Sequence, residues 1–179
     1  MTKEELGKLY PIYLESYNKK WPALFEKEKN ILKNIFGKNI KIEHIGSTAI
    51  TGLSAKPTID ILVELPNDLN KEQIIKIMEN NKYIYMKEQT KHIMFVKGYT
   101  SKGIGKESYH IHIGPLNQNW LWDRIYFRDY LNNNAYEAKE YEDLKIKLSL
   151  KYKNDREAYT DGKTKYIKKI TVKAKKLLQ

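Results

Sequence analysis

Between Ile42 and Val63 the chain reads Ile-Glu-His-Ile-Gly-Ser-Thr-Ala-Ile-Thr-Gly-Leu-Ser-Ala-Lys-Pro-Thr-Ile-Asp-Ile-Leu-Val. This is the pattern of a strand, a Gly-Ser-Thr turn, a small-residue segment and a second strand carrying one carboxylate. A turn of Gly46, Ser47 and Thr48 presents free backbone N–H groups and two hydroxyls, which is the chemistry of a phosphate seat. Asp60 arrives thirteen residues after Ser47. A carboxylate there can hold a divalent metal that bridges the same phosphates. An ordinary tight turn and a surface carboxylate would have the same spacing, so both readings stand on these residues alone. Gly52 is followed by Leu53 and not by Lys-Ser or Lys-Thr, which excludes a Walker A loop. Gly103 and Gly105 lie in a polar stretch and are expected to be a loop.

Other side chains could serve the same pocket. His110 and His112 are two apart and share one face of an expected strand. Glu43 and His44 end the strand before the turn and could act as base or extra ligand. Arg128 sits in the aromatic run Phe-Arg-Asp-Tyr-Leu, and Lys145 lies four residues after Tyr141 on one helical face. His92 has no evident partner and reads as structural or exposed.

The elements that must carry these groups follow from periodicity. A capping box, Thr2 with Glu5, opens a helix over 2–9. Pro22 and Gly37 bracket a helix over 22–36 with a regular apolar stripe. Residues 40–45 and 58–65 read as strands. In the second, Ile59, Ile61, Val63 and Leu65 face one way, and Asp60, Leu62 and Glu64 the other. A helix is predicted over 71–80, strands over 83–87, 92–97 and 109–113, and a loop over 100–108. Helices are predicted over 120–131, 135–150 and 164–178, with Ala138, Tyr141, Leu144 and Leu148 inward in the middle one. The fold class is α+β: a mixed β-sheet core flanked by helices over 1–118, with a helical C-terminal lobe over 119–179 packed on it.

Composition bounds the rest. The chain has 179 residues, 33 basic and 22 acidic, a formal charge of +11, 41% hydrophobic residues and no cysteine. That length allows one domain with a full core. The absence of cysteine excludes disulfides, thiolate zinc sites and a cysteine nucleophile. No apolar run approaches about 18 residues, and the charged N-terminus lacks the apolar region of a signal peptide, so a cytoplasmic protein without a membrane partner is expected. The positive charge suits phosphate-bearing partners. Nucleic acid is among these, although no reader motif supports it. A lysine-rich solvated surface would produce the same charge.

Several motifs in order resemble those of the GrpB family of predicted nucleotidyltransferases, in the polymerase-beta-like superfamily. They are Glu43-His-Ile-Gly-Ser-Thr48, Gly52-Leu53, Lys56-Pro57, Ile59-Asp-Ile61, His110-Ile-His112, Phe127-Arg-Asp-Tyr-Leu131, Tyr141 with Lys145, and Arg156, Tyr159, Lys163 and Tyr166. The resemblance spans Trp21 to Lys173. It implies a nucleotidyltransferase-like core and transfer of a nucleoside monophosphate from an NTP to an unknown acceptor. Gly46, Ser47, Thr48, Lys56, Arg128, Lys145, Tyr159 and Lys163 are then phosphate-binding, and Asp60, His112, His44 and Glu43 catalytic.

The superfamily pattern has two acids two residues apart and a third on a later strand, together binding two divalent metals. Here Asp60 fills one of the paired positions, with Thr58 or Leu62 in the other, and His112 or His110 replaces the third. The metal set is therefore Asp60, His112 and His110. One carboxylate and two imidazoles suit a single divalent ion better than two Mg²⁺, and favour Mn²⁺ or Zn²⁺ over Mg²⁺. The alternative is a catalytically degenerate nucleotide- or CoA-binding module, since some family members are fused to dephospho-CoA kinase.

Overall fold

In the computed structural model, residues 2–87, 89 and 91–177 are described, without the Lys3 side chain. Helix α1 (Lys3–Leu9) starts on the Thr2–Glu5 capping box. Helix α2 (Trp21–Phe36) has Pro in its first turn and stops at Gly37, whose φ of 105° suits glycine. Strand β1 (Ile42–Ile45) leads through a short 3₁₀ turn (Ser47–Ala49) towards β2 (Ile59–Glu64). Helix α3 (Lys71–Asn80), with its own capping box at Asn70 and Gln73, precedes β3 (Ile84–Tyr85), β4 (Ile93–Thr100) and β5 (Gly103–Gly114). The remainder is helical: α4 (Asn119–Trp122), α5 (Arg124–Asn133), α6 (Ala135–Lys151) and α7 (Arg156–Lys176).

The five strands form one sheet in the order β1-β2-β5-β4-β3. Only the β2–β5 pair is parallel, with Asp60 opposite His110 and Leu62 opposite His112. One face of the sheet is sealed by α2 and α3: Ile59, Ile61, Val63, Tyr109, Ile111 and Ile113 pack there with Trp21, Phe25, Leu32, Ile74 and Met78. Leu62 points the other way, into a cluster with Ile45, Leu121 and Trp122. The helices share a further core in which Phe127, Tyr130, Leu131, Tyr141 and Ile170 enclose Ile50 and Leu53 from the loop before β2.

Four elements depart from expectation. Residues 103–108 are not loop but the first half of β5, paired with β4 at Tyr99–Ile104 and Thr100–Gly103. This arm is mostly exposed, so it has no apolar alternation to read. Between Tyr83 and Lys87 only two residues are strand. The single helix expected from Trp120 is broken at Asp123, which ends α4, begins α5 and holds Lys175 of α7 at 2.9 Å. The last helix starts at Arg156, eight residues before Thr164, with Asp155 capping it through the Ala158 N–H. Gly162 lies inside this helix. A Cβ there would meet Leu148 at 2.6 Å, so the glycine lets α6 and α7 approach. The expected end at Leu178 lies outside the described residues.

One buried ion pair ties α2 to the sheet. The Glu28 carboxylate, 1% exposed, accepts from Tyr83 at 2.5 Å and from Lys97 at 2.8 and 2.9 Å. Removing one partner strands the others in a low-dielectric layer. Glu28→Ala should cost roughly 3–5 kcal/mol in urea unfolding, without touching the opposite face of the sheet.

Candidate functional site

The site lies on the face of the sheet away from α2. The register of β2 and β5 puts Asp60, His110 and His112 side by side. His110 Nδ1 is 2.9 Å from Asp60 Oδ1, and His112 Nε2 is 4.0 Å from the same oxygen. One ligand atom from each of the three lies within 4.8 Å of the others. Behind His110, the Tyr99 hydroxyl is 2.7 Å from Nε2. Behind His112, His92 Nε2 is 2.7 Å from Nδ1. Both imidazoles are therefore oriented from behind, as in metal and catalytic histidines generally.

Gly46 explains how the turn reaches this group. Its φ is 74°, and a Cβ built there would lie 2.3 Å from Asp60 Oδ2. Only glycine lets the bend after β1 close against the carboxylate. Ser47, next in the bend, hydrogen-bonds the Tyr141 hydroxyl.

Beside Asp60 lie Lys56, from the loop before β2, and Lys163 of α7, with further cations from α6 and α7 next to them. Lys56 and Lys163 approach the buried ring of Tyr159, at 5.8 and 4.2 Å from its centroid. Lys145 is 1% exposed, lies 5.0 Å from the Tyr141 ring and donates to the Ser54 carbonyl. Arg156 donates to the Tyr10 carbonyl at 3.0 Å. A shallow cleft lined by Pro11, Tyr13, Lys56, Pro57, Thr58, Ile104 and Arg156 opens beside them.

The charges are unevenly balanced. Burial, then the neighbouring charges of Arg156 and Lys163, lowers the Lys56 ammonium to about 7. Burial and the Lys163 charge lower Lys145 to about 7. Burial lowers Lys163 to about 8, with Asp60 opposing the shift and Arg156 adding to it. Burial alone would raise the Asp60 carboxyl. The hydrogen bond and charge of His110, with Lys56 nearby, outweigh it and hold the group well below the usual carboxylate range. Burial pushes His112 well below its ordinary value, so this ring is neutral.

The lysines set a pH signature of their own. An unfolded lysine titrates near about 10.4. Between pH 7 and about 10 the unfolded chain therefore binds more protons than the folded one, and stability rises with pH across that window. Below pH 7 the destabilising charge is fully present. Above about 10 the buried tyrosines Tyr83, Tyr109 and Tyr159, whose values are raised chiefly by burial, reverse the trend. In buffer without multivalent anions the melting temperature should be at least ~3 °C higher at pH 9 than at pH 7. A lower midpoint at pH 9 would contradict the depressed lysines.

The structure thus brings together Asp60, His110, His112, Gly46, Ser47, Lys56, Tyr159 and Lys163, with Lys145 behind them. It places four other expected residues in structural contacts. His44 lies on the opposite face, opposite Ile61 in the register, stacked on Phe25 at 4.8 Å and 3.0 Å from the Thr48 hydroxyl. Burial lowers its ring to about 4. Thr48 is buried between His44 and the Thr58 carbonyl rather than open to a phosphate. Arg128 binds Glu43 at 2.8 Å, the His44 carbonyl at 2.7 Å and Asp129 at 2.6 Å, which fastens α5 to β1 and occupies Glu43 as well. Glu64, at the end of β2, accepts from the Lys41 N–H at 3.0 Å. Thr58, at one of the paired acid positions, is 3.0 Å from the Ser108 hydroxyl.

Sequence reasoning missed His92, Tyr99, Arg124 and Arg156 as members of the pocket's surroundings. His92 and Tyr99 pair only across strands, so no local spacing announces them. Arg156 could have been found among the motif residues already singled out near Tyr159 and Lys163.

The donor set decides what metal could sit here. Two Mg²⁺ need several anionic oxygens, and among the described residues the cluster offers one carboxylate. A pair of magnesium ions does not fit. A carboxylate oxygen with two imidazole nitrogens fits one divalent ion of borderline softness.

The sequence profile of the family described as "GrpB protein" matches residues 11–173. The chain is 36% identical over 162 residues to the glutamate-rich protein GrpB of Alkalihalophilus pseudofirmus, covering 89% of this chain and 93% of that one. It is 34% identical over 172 residues to the UPF0157 protein YqkA of Bacillus subtilis, covering 94% of this chain and about half, 49%, of that relative. Among solved structures, GrpB from Enterococcus faecalis superposes with a TM-score of 0.77 at 30% identity, covering 93% of this chain and all of that one. The MgGTP-bound Cid1 poly(U) polymerase superposes with a TM-score of 0.52 at 14% identity, covering 78% of this chain and 45% of that one, a likeness of fold alone. No helix among the described residues is long and apolar enough to cross a membrane. The core has a nucleotidyltransferase-like fold, and the chain belongs to the GrpB family.

Proposed function

We propose that the pocket binds a nucleoside triphosphate and transfers its nucleoside monophosphate to an acceptor. One observation carries the reading: Lys56 and Lys163 lie beside Asp60, whose charge supports both, with Arg156 next to the two lysines and Lys145 next to Lys163. A cluster of one buried and three half-buried cations with so little compensation favours a polyanion in its midst. Lys56, Lys163 and Arg156 hold the β- and γ-phosphates, while Lys145 props the loop that carries Lys56. Ser47 and the close bend at Gly46 set the α-phosphate against Asp60. The acceptor attacks the α-phosphorus and gives up its proton to water, the bond to the bridging β-phosphate oxygen breaks, and pyrophosphate leaves among the lysines. Positioning and charge do most of the work in such transfers. Asp60, His110 and His112 would hold one divalent ion, which when bound adds positive charge against the phosphate oxygens. His44, Glu43 and Arg128, engaged elsewhere, take no part in the transfer step.

The test is to incubate the protein with each NTP and Mn²⁺ or Mg²⁺ and measure pyrophosphate. Release above a no-protein control is expected. The single carboxylate in the cluster favours a second reading, a nucleotide- or CoA-binding module without chemistry. Tight ATP or CoA binding by calorimetry with no pyrophosphate under any condition would select it.

A further inference from the structure

Next to His112 lies a second group of side chains, carried by α4, by the start of α5 and by the residue before β4. Arg124, the first residue of α5, is half-buried, feels the charge of Asp60, and among the described residues donates no hydrogen bond and makes no ion pair. Its guanidinium carbon lies 5.9 Å from the Trp120 ring centroid. Trp120 is 46% exposed, whereas Trp21 and Trp122 are buried. The Trp120 ring meets the His92 ring edge-on at 5.5 Å, and His92 contacts His112 at 2.7 Å. His92 Nδ1 is buried with no hydrogen-bond partner among the described residues. A continuous path therefore runs from the Asp60 carboxylate through His112 and His92 to an exposed indole with an unpaired guanidinium over it.

A half-buried guanidinium with no hydrogen-bond partner has room for a further counter-charge beyond that of Asp60, and a buried ring nitrogen without a partner is costly. Both are satisfied by an anion. The exposed indole adds a flat face on which a planar ring can stack. We infer that Trp120, Arg124 and His92 form an acceptor subsite for a small anionic molecule that carries both a phosphate group and a planar ring. This rests on the proposed transfer for the word acceptor, while the binding site stands on its own geometry. The lysines and this subsite adjoin the same carboxylate, so a donor in one and an acceptor in the other would meet at Asp60. The indole is the one exposed tryptophan ring, and one guanidinium accompanies it. A long single strand of nucleic acid would need a series of such stacking positions.

The experiment is calorimetric titration of the full chain with AMP, adenosine and inorganic phosphate, against Arg124→Gln, Trp120→Ala and Lys163→Met variants whose melting curves match the parent. AMP should bind the parent more tightly than adenosine or phosphate does. Arg124→Gln and Trp120→Ala should each weaken AMP roughly tenfold or more. Lys163→Met should leave this AMP site intact while it weakens ATP. AMP affinity unchanged in both Arg124→Gln and Trp120→Ala would overturn the subsite, as would equal binding of AMP and adenosine. An (A)₄ oligonucleotide that binds more than tenfold tighter than AMP would replace the small-molecule assignment with a nucleic-acid one. Loss of ATP binding or pyrophosphate release with the AMP site intact would count against the transfer reaction and leave the subsite standing. Should Arg124→Gln fail to fold, Trp120→Ala on the exposed surface still decides the outcome.

Discussion

Asp60→Asn should reduce pyrophosphate release by at least about 10²–10³-fold, the scale on which preorganised charge at a transfer site acts. The change is isosteric, so the amide still packs against Gly46 and the bend keeps its shape. What disappears is the negative charge that faces Lys56 and Lys163 and the carboxylate oxygen that His110 and His112 approach. The cluster of cations then lacks its nearby counter-charge, and the two imidazoles cannot share a metal with a carboxylate. Pyrophosphate release should be measured with each NTP beside ATP affinity by calorimetry. Unchanged yield in Asp60→Asn would remove the residue from the chemistry. Near-parental ATP affinity with no product is the signature of the transfer reading, because the lysines, not Asp60, hold the phosphates.

Lys163→Met should weaken ATP by roughly tenfold to a hundredfold, the range for losing a charge-assisted contact to phosphate. The same substitution should raise the melting temperature of the free protein. Lys163 is half-buried beside Arg156, and its charge lowers both Lys56 and Lys145, so replacing it with an apolar chain relieves repulsion. Weaker binding with higher stability is the opposite of what a simple packing defect produces. Lys168→Met, at an exposed position of the same helix, should change neither quantity. If Lys163→Met destabilises the fold and leaves ATP affinity intact, the lysine is structural and the phosphate assignment fails.

Much of this protein is legible without coordinates, for reasons of range. The capping boxes, the Pro22–Gly37 bracket, the alternation in 58–65 and the Gly46-Ser47 bend act over a few residues, and composition records them directly. The pairing of Asp60 with His110 and His112 was accessible as a motif, because each strand announces its own face. Tertiary structure decided what the neighbours do with those groups. His44, Glu43, Thr48 and Arg128 have the residue types of a site, yet packing couples them to one another and to α2 and α5. Lys145 is singled out by its spacing from Tyr141, but that it is buried under α6 and α7 and props the Ser54 carbonyl is decided by packing, as is the approach of Leu148 to Gly162. His92, Tyr99 and Arg124 reach the site only through strand register and the turn at Asp123. Local spacing specifies which face a side chain takes, whereas the charge it meets there is set by segments tens of residues away. In this chain that long-range part determines which basic groups face Asp60 and which merely hold the fold together.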